Sequence, residues 1–131
     1  MFSKRLQYAL AALTRLAMNA SNKPLHITEL AGTDDIPEKY LVQILIELRK
    51  GGFVESIRGT NGGYVLGRDP KEIHIVDVME TLDGEIAAFE EPTRFRELEV
   101  FGKEIESKIR KILKVSLDDL MNQKPAMNFE I

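Results

Sequence analysis

Cysteine is absent from the 131 residues of this chain, so no disulfide, thiolate zinc site, cysteine-ligated cluster or thiol nucleophile can be built from it. Histidine is scarce: His26 and His74 stand far apart, and neither belongs to a ligand-like repeat, so no metal site is expected. No apolar run approaches the roughly 18 uninterrupted residues of a membrane span, and Met1-Phe-Ser-Lys-Arg-Leu-Gln-Tyr8 has no long apolar core behind its charges. A cytoplasmic protein with no membrane partner is the expectation. Also missing are a phosphate-cradling glycine loop between a strand and a helix, and a histidine beside a plausible catalytic partner, which makes an enzyme the weakest reading. Internal repeats and low-complexity segments do not occur.

Net positive charge is lacking too, the formal balance being −3. Its distribution is uneven. Residues 1–70 hold 9 Lys and Arg against 7 Asp and Glu (9 − 7 = +2), and residues 71–131 hold 9 against 14 (9 − 14 = −5). A local patch, not the total, decides phosphate attraction, and the patch here lies in the first half. A hydrophobic content of 44% is enough for one core, so one domain with an appended element is expected.

What is present is periodic. Leu6, Ala9, Leu10, Leu13, Leu16 and Ala17 follow three-and-four spacing and predict a helix from about Ser3 to Asn19, ended by Asn22-Lys-Pro24. A short helix from Thr28 to about Thr33 follows, then the turn Gly32-Thr-Asp-Asp35. The next helix starts at Pro37 as its first residue, ends at Gly51-Gly52, and buries Leu41, Ile44, Leu45 and Leu48. Lys39, Tyr40, Gln43 and Glu47 lie on its other faces.

Phe53-Val-Glu-Ser-Ile-Arg-Gly-Thr-Asn-Gly-Gly-Tyr-Val-Leu66 reads as two short strands joined by a basic, glycine-rich tip that tolerates positive φ. An ordinary hairpin on a small α+β domain would look the same, so context decides. Helix, short helix, turn, helix and basic hairpin is the order of a winged helix-turn-helix. Ile75, Val78, Met79 and Leu82 then mark a helix ended by Gly84, and residues 85–94 read as a loop.

The longest helix candidate runs from about Phe95 to Lys114, with Leu98, Phe101, Ile105, Ile109 and Ile112 on one stripe. Such a stripe packs on its own domain or on a second copy. A second copy is favoured, because the three-helix core looks complete without it. Ser116-Leu-Asp-Asp-Leu120 reads as a capped short helix, with Asp119 three residues after Ser116, and Lys124 to Ile131 as a loose tail.

Several strings together resemble the Rrf-two family of bacterial transcription regulators. They are Tyr8-Ala-Leu-x-x-Leu13, Ile36-Pro-Glu-Lys-Tyr-Leu-Val-Gln-Ile-Leu45, Leu48-Arg-Lys-Gly-Gly-Phe-Val54, Arg58-Gly-Thr-Asn-Gly-Gly-Tyr-Val-Leu66, Ile75-Val-Asp-Val78, Leu82-Asp-Gly84 and Ser116-Leu-Asp-Asp-Leu120. The resemblance implies a mostly α fold with a small β-hairpin: a winged helix-turn-helix DNA-binding domain over 1–84, a linker loop over 85–94, a dimerisation helix and short capped helix over 95–122, and a C-terminal tail over 123–131.

It further implies a homodimer on palindromic double-stranded DNA. Lys39, Tyr40 and Gln43 would face the major groove, Arg58 with Asn61 and Gly62 would place the wing in the minor groove, and Ser3 and Lys4 would contact phosphates. Gln can read an adenine edge bidentately and Arg suits a narrow, negative groove. Two departures qualify this. Val42 stands where many members carry Glu, so operator preference does not transfer. The segment Glu85 to Phe95 is short and cysteine-free, where cluster-binding relatives hold three cysteines in a longer loop. Carboxylates such as Glu85, Glu90 and Glu91 are hard donors and no substitute. The chain therefore resembles the branch without an iron-sulfur cofactor, similar to the cysteine-metabolism repressor.

The expected function is that of a DNA-binding transcription regulator, more a repressor than an activator. Its signal would be a small-molecule effector, a regulatory protein partner docked on the shortened loop and the acidic second half, or no ligand at all. The competing reading is a dimeric winged-helix protein-interaction module that no longer binds DNA.

Overall fold

The computed structural model describes residues 1–21 and 23–122. The tail read from Lys124 onward lies outside the described residues. Helix α1 (Lys4–Met18) begins where the Ser3 hydroxyl accepts the Leu6 N–H at 3.0 Å, satisfying one of the donors every helix start leaves open. Its buried face is Leu6, Ala9, Ala12, Leu13 and Leu16, while Leu10 and Ala17 sit half-buried at its edge. Helix α2 (Ile27–Thr33) starts one residue earlier than expected, because His26 Nδ1 accepts the Thr28 N–H and serves as the cap.

Helix α3 (Glu38–Lys50) corrects the reading of Pro37 as the first helical residue. Its ψ of 125° is non-helical, and its carbonyl already accepts from the N–H groups of Tyr40 and Leu41 at 3.0 Å each, which makes it the cap. The buried face is the expected set, Leu41, Ile44, Leu45 and Leu48. Strands β1 (Val54–Ile57) and β2 (Gly63–Leu66) pair antiparallel, Val54 opposite Leu66 and Ile57 opposite Gly63. Leu25 adds an isolated antiparallel rung to β2. Its N–H donates to the Tyr64 carbonyl at 3.0 Å, and its carbonyl accepts from the Tyr64 N–H at 2.8 Å. The hairpin is thus tied to the segment entering α2.

A 3-10 turn at Pro70–Glu72 leads into α4 (Ile75–Asp83), which buries Ile75, Val76, Val78, Met79 and Leu82. Helices α5 (Arg96–Ile112) and α6 (Leu117–Asn122) follow, and the Ser116 hydroxyl caps α6 by accepting the Asp119 N–H at 3.0 Å.

Two expectations change here. The core is not complete without the C-terminal helices: Leu113 and Leu117 are buried in it, and the chain after α5 is stitched to the start of α4 by Val76 N–H to Leu113 O, Ile75 N–H to Val115 O and Leu117 N–H to Ile73 O. The proposed stripe on α5 is also divided. Ile109 packs against the protomer's own core and Ile105 is half-buried, whereas Leu98, Phe101 and Ile112 are 39, 57 and 48% exposed. The buried residue of α5 is Gly102. Phe89 from the loop fills the notch that the missing side chain leaves, and the Ala88 N–H donates to Glu106 at 2.9 Å.

Candidate nucleic-acid interface

Four of the residues singled out in the sequence, Ser3, Lys4, Tyr40 and Gln43, line one hollow of about 550 Å³ between the start of α1 and the amino-terminal half of α3. The burial of Leu41, Ile44 and Leu45 turns Tyr40 and Gln43 outward by helical periodicity. Tyr40 is held rather than loose. Its ring meets Tyr8 edge-to-face, with centroids 5.5 Å apart and planes at 82°. Lys4 Nζ lies 5.4 Å from the Tyr8 ring centroid, a cation–π distance. Half-buried Tyr8 is therefore a common support for one cation and one aromatic that both face outward. Lys39 is exposed on α3 but does not border this hollow.

Ser3 is more committed than the sequence implied. Besides capping α1, its hydroxyl donates to Asp83 Oδ2 at 2.7 Å, so a phosphate approaching this hydroxyl would compete with Asp83. Asp83 also pairs with Arg5 at 3.3 Å, and Arg5 donates to the Leu82 carbonyl. A carboxylate in this hollow would repel an anion if left alone, and Arg5 offsets that charge. Sequence reasoning missed Arg5, Tyr8 and Asp83. Tyr8 and Asp83 stand inside matched strings, but no periodicity joins positions so far apart.

The wing forms a second group. Arg58 and Gly62 border a groove of about 400 Å³ together with His26, Ile27 and Tyr64, and Arg58 and Asn61 are exposed at the tip. The tip closes by a hydrogen bond from Gly62 N–H to Gly59 O at 3.0 Å, and Gly59 takes a φ of +117°, which only glycine adopts without strain. Arg68, the next cation along the chain, is used differently. Its guanidinium lies 4.4 Å from the Phe53 ring centroid and donates to the Gly51 carbonyl, fastening the wing root to the end of α3. The residues proposed for dimerisation, Leu98, Phe101, Ile105, Ile109 and Ile112, all lie on α5, outside both hollows.

An outward-facing helix start, a capped first helix and a basic hairpin tied to its flank form the arrangement of a winged helix-turn-helix. A family profile described as Rrf2, iron-dependent transcriptional regulator, matches residues 2–123. The chain belongs to the Rrf2 family. An rrf2-like HTH-type transcriptional regulator of Rhodobacter capsulatus is 41% identical over 90 residues, covering 66% of this chain and 60% of the relative. The HTH-type transcriptional regulator CymR of Bacillus subtilis is 38% identical over 88 residues, 67% of this chain and 64% of that protein. The chain thus spans less than two thirds of the length of these curated relatives, which are transcriptional regulators and not enzymes. Among solved structures, that of CymR, the global cysteine regulator of B. subtilis, superposes with a TM-score of 0.80 at 30% identity, covering 95% of this chain and 98% of that one. The IscR of T. potens gives 0.76 at 28% identity, covering 95% and 88%.

The family's description implies iron, and the donors of this Rrf2 chain do not fit a thiolate-ligated iron group. It has no cysteine. Among the described residues no three His, Asp or Glu side chains converge as a metal site. Nor, among them, is any helix long and apolar enough to cross a membrane.

Proposed function

We propose that this Rrf2 protein is a sequence-specific DNA-binding transcription regulator acting as a homodimeric repressor on a palindromic operator, without an iron-sulfur cofactor and within the cytoplasm. The observation that carries the reading is the convergence of Lys4, Tyr40 and Gln43 on one outward hollow beside a wing that presents Arg58. In this reading α3 enters the major groove with Gln43 reading a base edge, Lys39 and Lys4 neutralise phosphates, and Arg58 enters the adjacent minor groove with Asn61 and Gly62 at the turn. A second copy against the exposed part of α5 would set two such helices about one helical turn, or a multiple, apart on the duplex.

Selection of binding sites from random DNA, followed by gel shifts over a salt series, tests this. A two-fold-symmetric motif and an affinity that falls steeply with salt are expected. Arg58→Ala and Gln43→Ala should each weaken the selected site roughly 10- to 100-fold, the usual worth of a good groove contact, while thermal unfolding stays put because both side chains are exposed. Wild-type affinity in both variants would remove the groove assignment. No selected motif at all would favour the winged-helix protein-interaction module, which the net charge of −3 and Val42 in α3 also suit.

The support under Tyr40 makes a separate expectation. Tyr8→Leu should lower specific affinity by several-fold, on the order of 1 kcal/mol, by freeing both Lys4 and Tyr40, and Tyr8→Phe should restore it because the ring alone makes both contacts. Equal losses in the two variants would point to the hydroxyl instead.

A further inference from the structure

The acidic second half of the chain gathers its cations in one place. Four of the nine Lys and Arg of residues 71–131, Lys103, Arg110, Lys111 and Lys114, border a hollow of about 740 Å³ between α5 and the start of α4, a volume within the range of small-molecule sites. Two carboxylates share the lining, Asp77 and Glu106, which leaves +2 (4 − 2) on a wall drawn from a half whose balance is −5. The cations are not all spent internally. Lys103 pairs with Glu99 at 3.5 Å and Arg110 with Glu80, but Lys111 and Lys114 make no ion pair among the described residues. Ser107 contributes a hydroxyl and Val76 an apolar patch.

At about 100° of helix per residue, Lys103, Ser107 and Arg110 face away from Leu98, Phe101, Ile105 and Ile112, Lys111 lies between the two sides, and Lys114 follows the helix end at Ile112. A second copy on the apolar side therefore leaves the hollow open.

We propose that this hollow binds a small anion bearing a phosphate or a pair of carboxylates. Lys111 and Lys114 are its charge anchors, and Arg110 and Ser107 its directional donors. The walls also say what such a ligand would move. Glu106 holds the loop through the Ala88 N–H. Arg110 and Asp77 border a neighbouring hollow with Gly51, Phe53 and Arg68 at the wing root. An anion that recruits Arg110 competes with Glu80 for it, and so acts on the seat of the wing as an effector does.

Binding itself needs no DNA, so the test stands apart from the groove assignment. Inorganic phosphate, and in a second arm succinate, is titrated at fixed ionic strength into the full chain and into a Lys111→Gln/Lys114→Gln variant while backbone amide resonances are followed. Saturable shifts at Ser107, Lys111 and Lys114 in either arm, weakened roughly tenfold or more in the variant, are expected. Shifts that never saturate, that spread equally over Lys39 and Arg58, or that persist in the variant overturn the site. In phosphate-free buffer the variant should bind DNA as the wild type does, and a loss there would reassign these cations to the nucleic-acid backbone.

Discussion

Gly63→Ala should lower the unfolding temperature by about 10 °C and take DNA affinity down with it, although residue 63 would touch no base. Gly63 adopts a φ of +153°, and a Cβ there would overlap the Leu25 carbonyl oxygen. The Leu25–Tyr64 rung would have to open. Two backbone hydrogen bonds and the strain of a side chain in a glycine conformation together come to roughly 3 kcal/mol, which for a domain of this size is on the order of 10 °C. Since the rung ties the hairpin to the entrance of α2, the wing that carries Arg58 would lose its fixed position. Gly32→Ala is the contrast. A Cβ there meets nothing within 4 Å inside α2, so the change should be neutral or slightly stabilising. Scanning calorimetry on both variants decides the point. Equal melting temperatures would mean that Leu25 does not anchor the wing.

Phe101→Asp should break the proposed dimer without unfolding the protomer. The Phe101 ring is 57% exposed in the single chain, so a carboxylate there costs the fold little, yet against a second copy it would be buried unpaired. Sedimentation at micromolar concentration should give the mass of one chain. Affinity for a two-half-site operator should fall by at least roughly 100-fold, because the second half-site no longer adds its contacts. Val100→Asp is the matched control, 60% exposed but turned about 100° round α5 from Phe101, off the apolar stripe. A dimer that survives Phe101→Asp and fails with Val100→Asp would move the interface to the other face of the helix.

Local pattern reached a good part of this architecture from the sequence. The α3 face of Leu41, Ile44, Leu45 and Leu48, the glycine tip of the hairpin and the Ser116 cap all follow from spacing or from one residue's backbone preference. Contacts between distant positions were out of reach. Asp83 on Ser3 and Arg5, Phe89 over Gly102 and Tyr8 under Tyr40 join elements through side chains that carry no periodic signal. The division of α5 was not legible for a related reason. A regular stripe reports that one face is apolar, but not that Ile109 would be taken by the protomer's own core while Phe101 stayed outside. Pro37 shows the limit at a single residue: its fixed φ suits a cap and a first turn alike, and only ψ separates them.

The sparse footing of α5 reaches beyond geometry. Its 17 residues bury Gly102 and lean on Ile109, the Phe89 ring and the Arg110–Glu80 pair, so the single chain gains little from keeping the first half of that helix ordered. In the dimer proposed above, that deficit is made up by mass action. Folding free energy then grows with the logarithm of protein concentration, and α5 is firmest when the regulator is abundant. Expression level would become a variable of the fold itself, and a scarce regulator would loosen the first half of α5 as it gives up its operator.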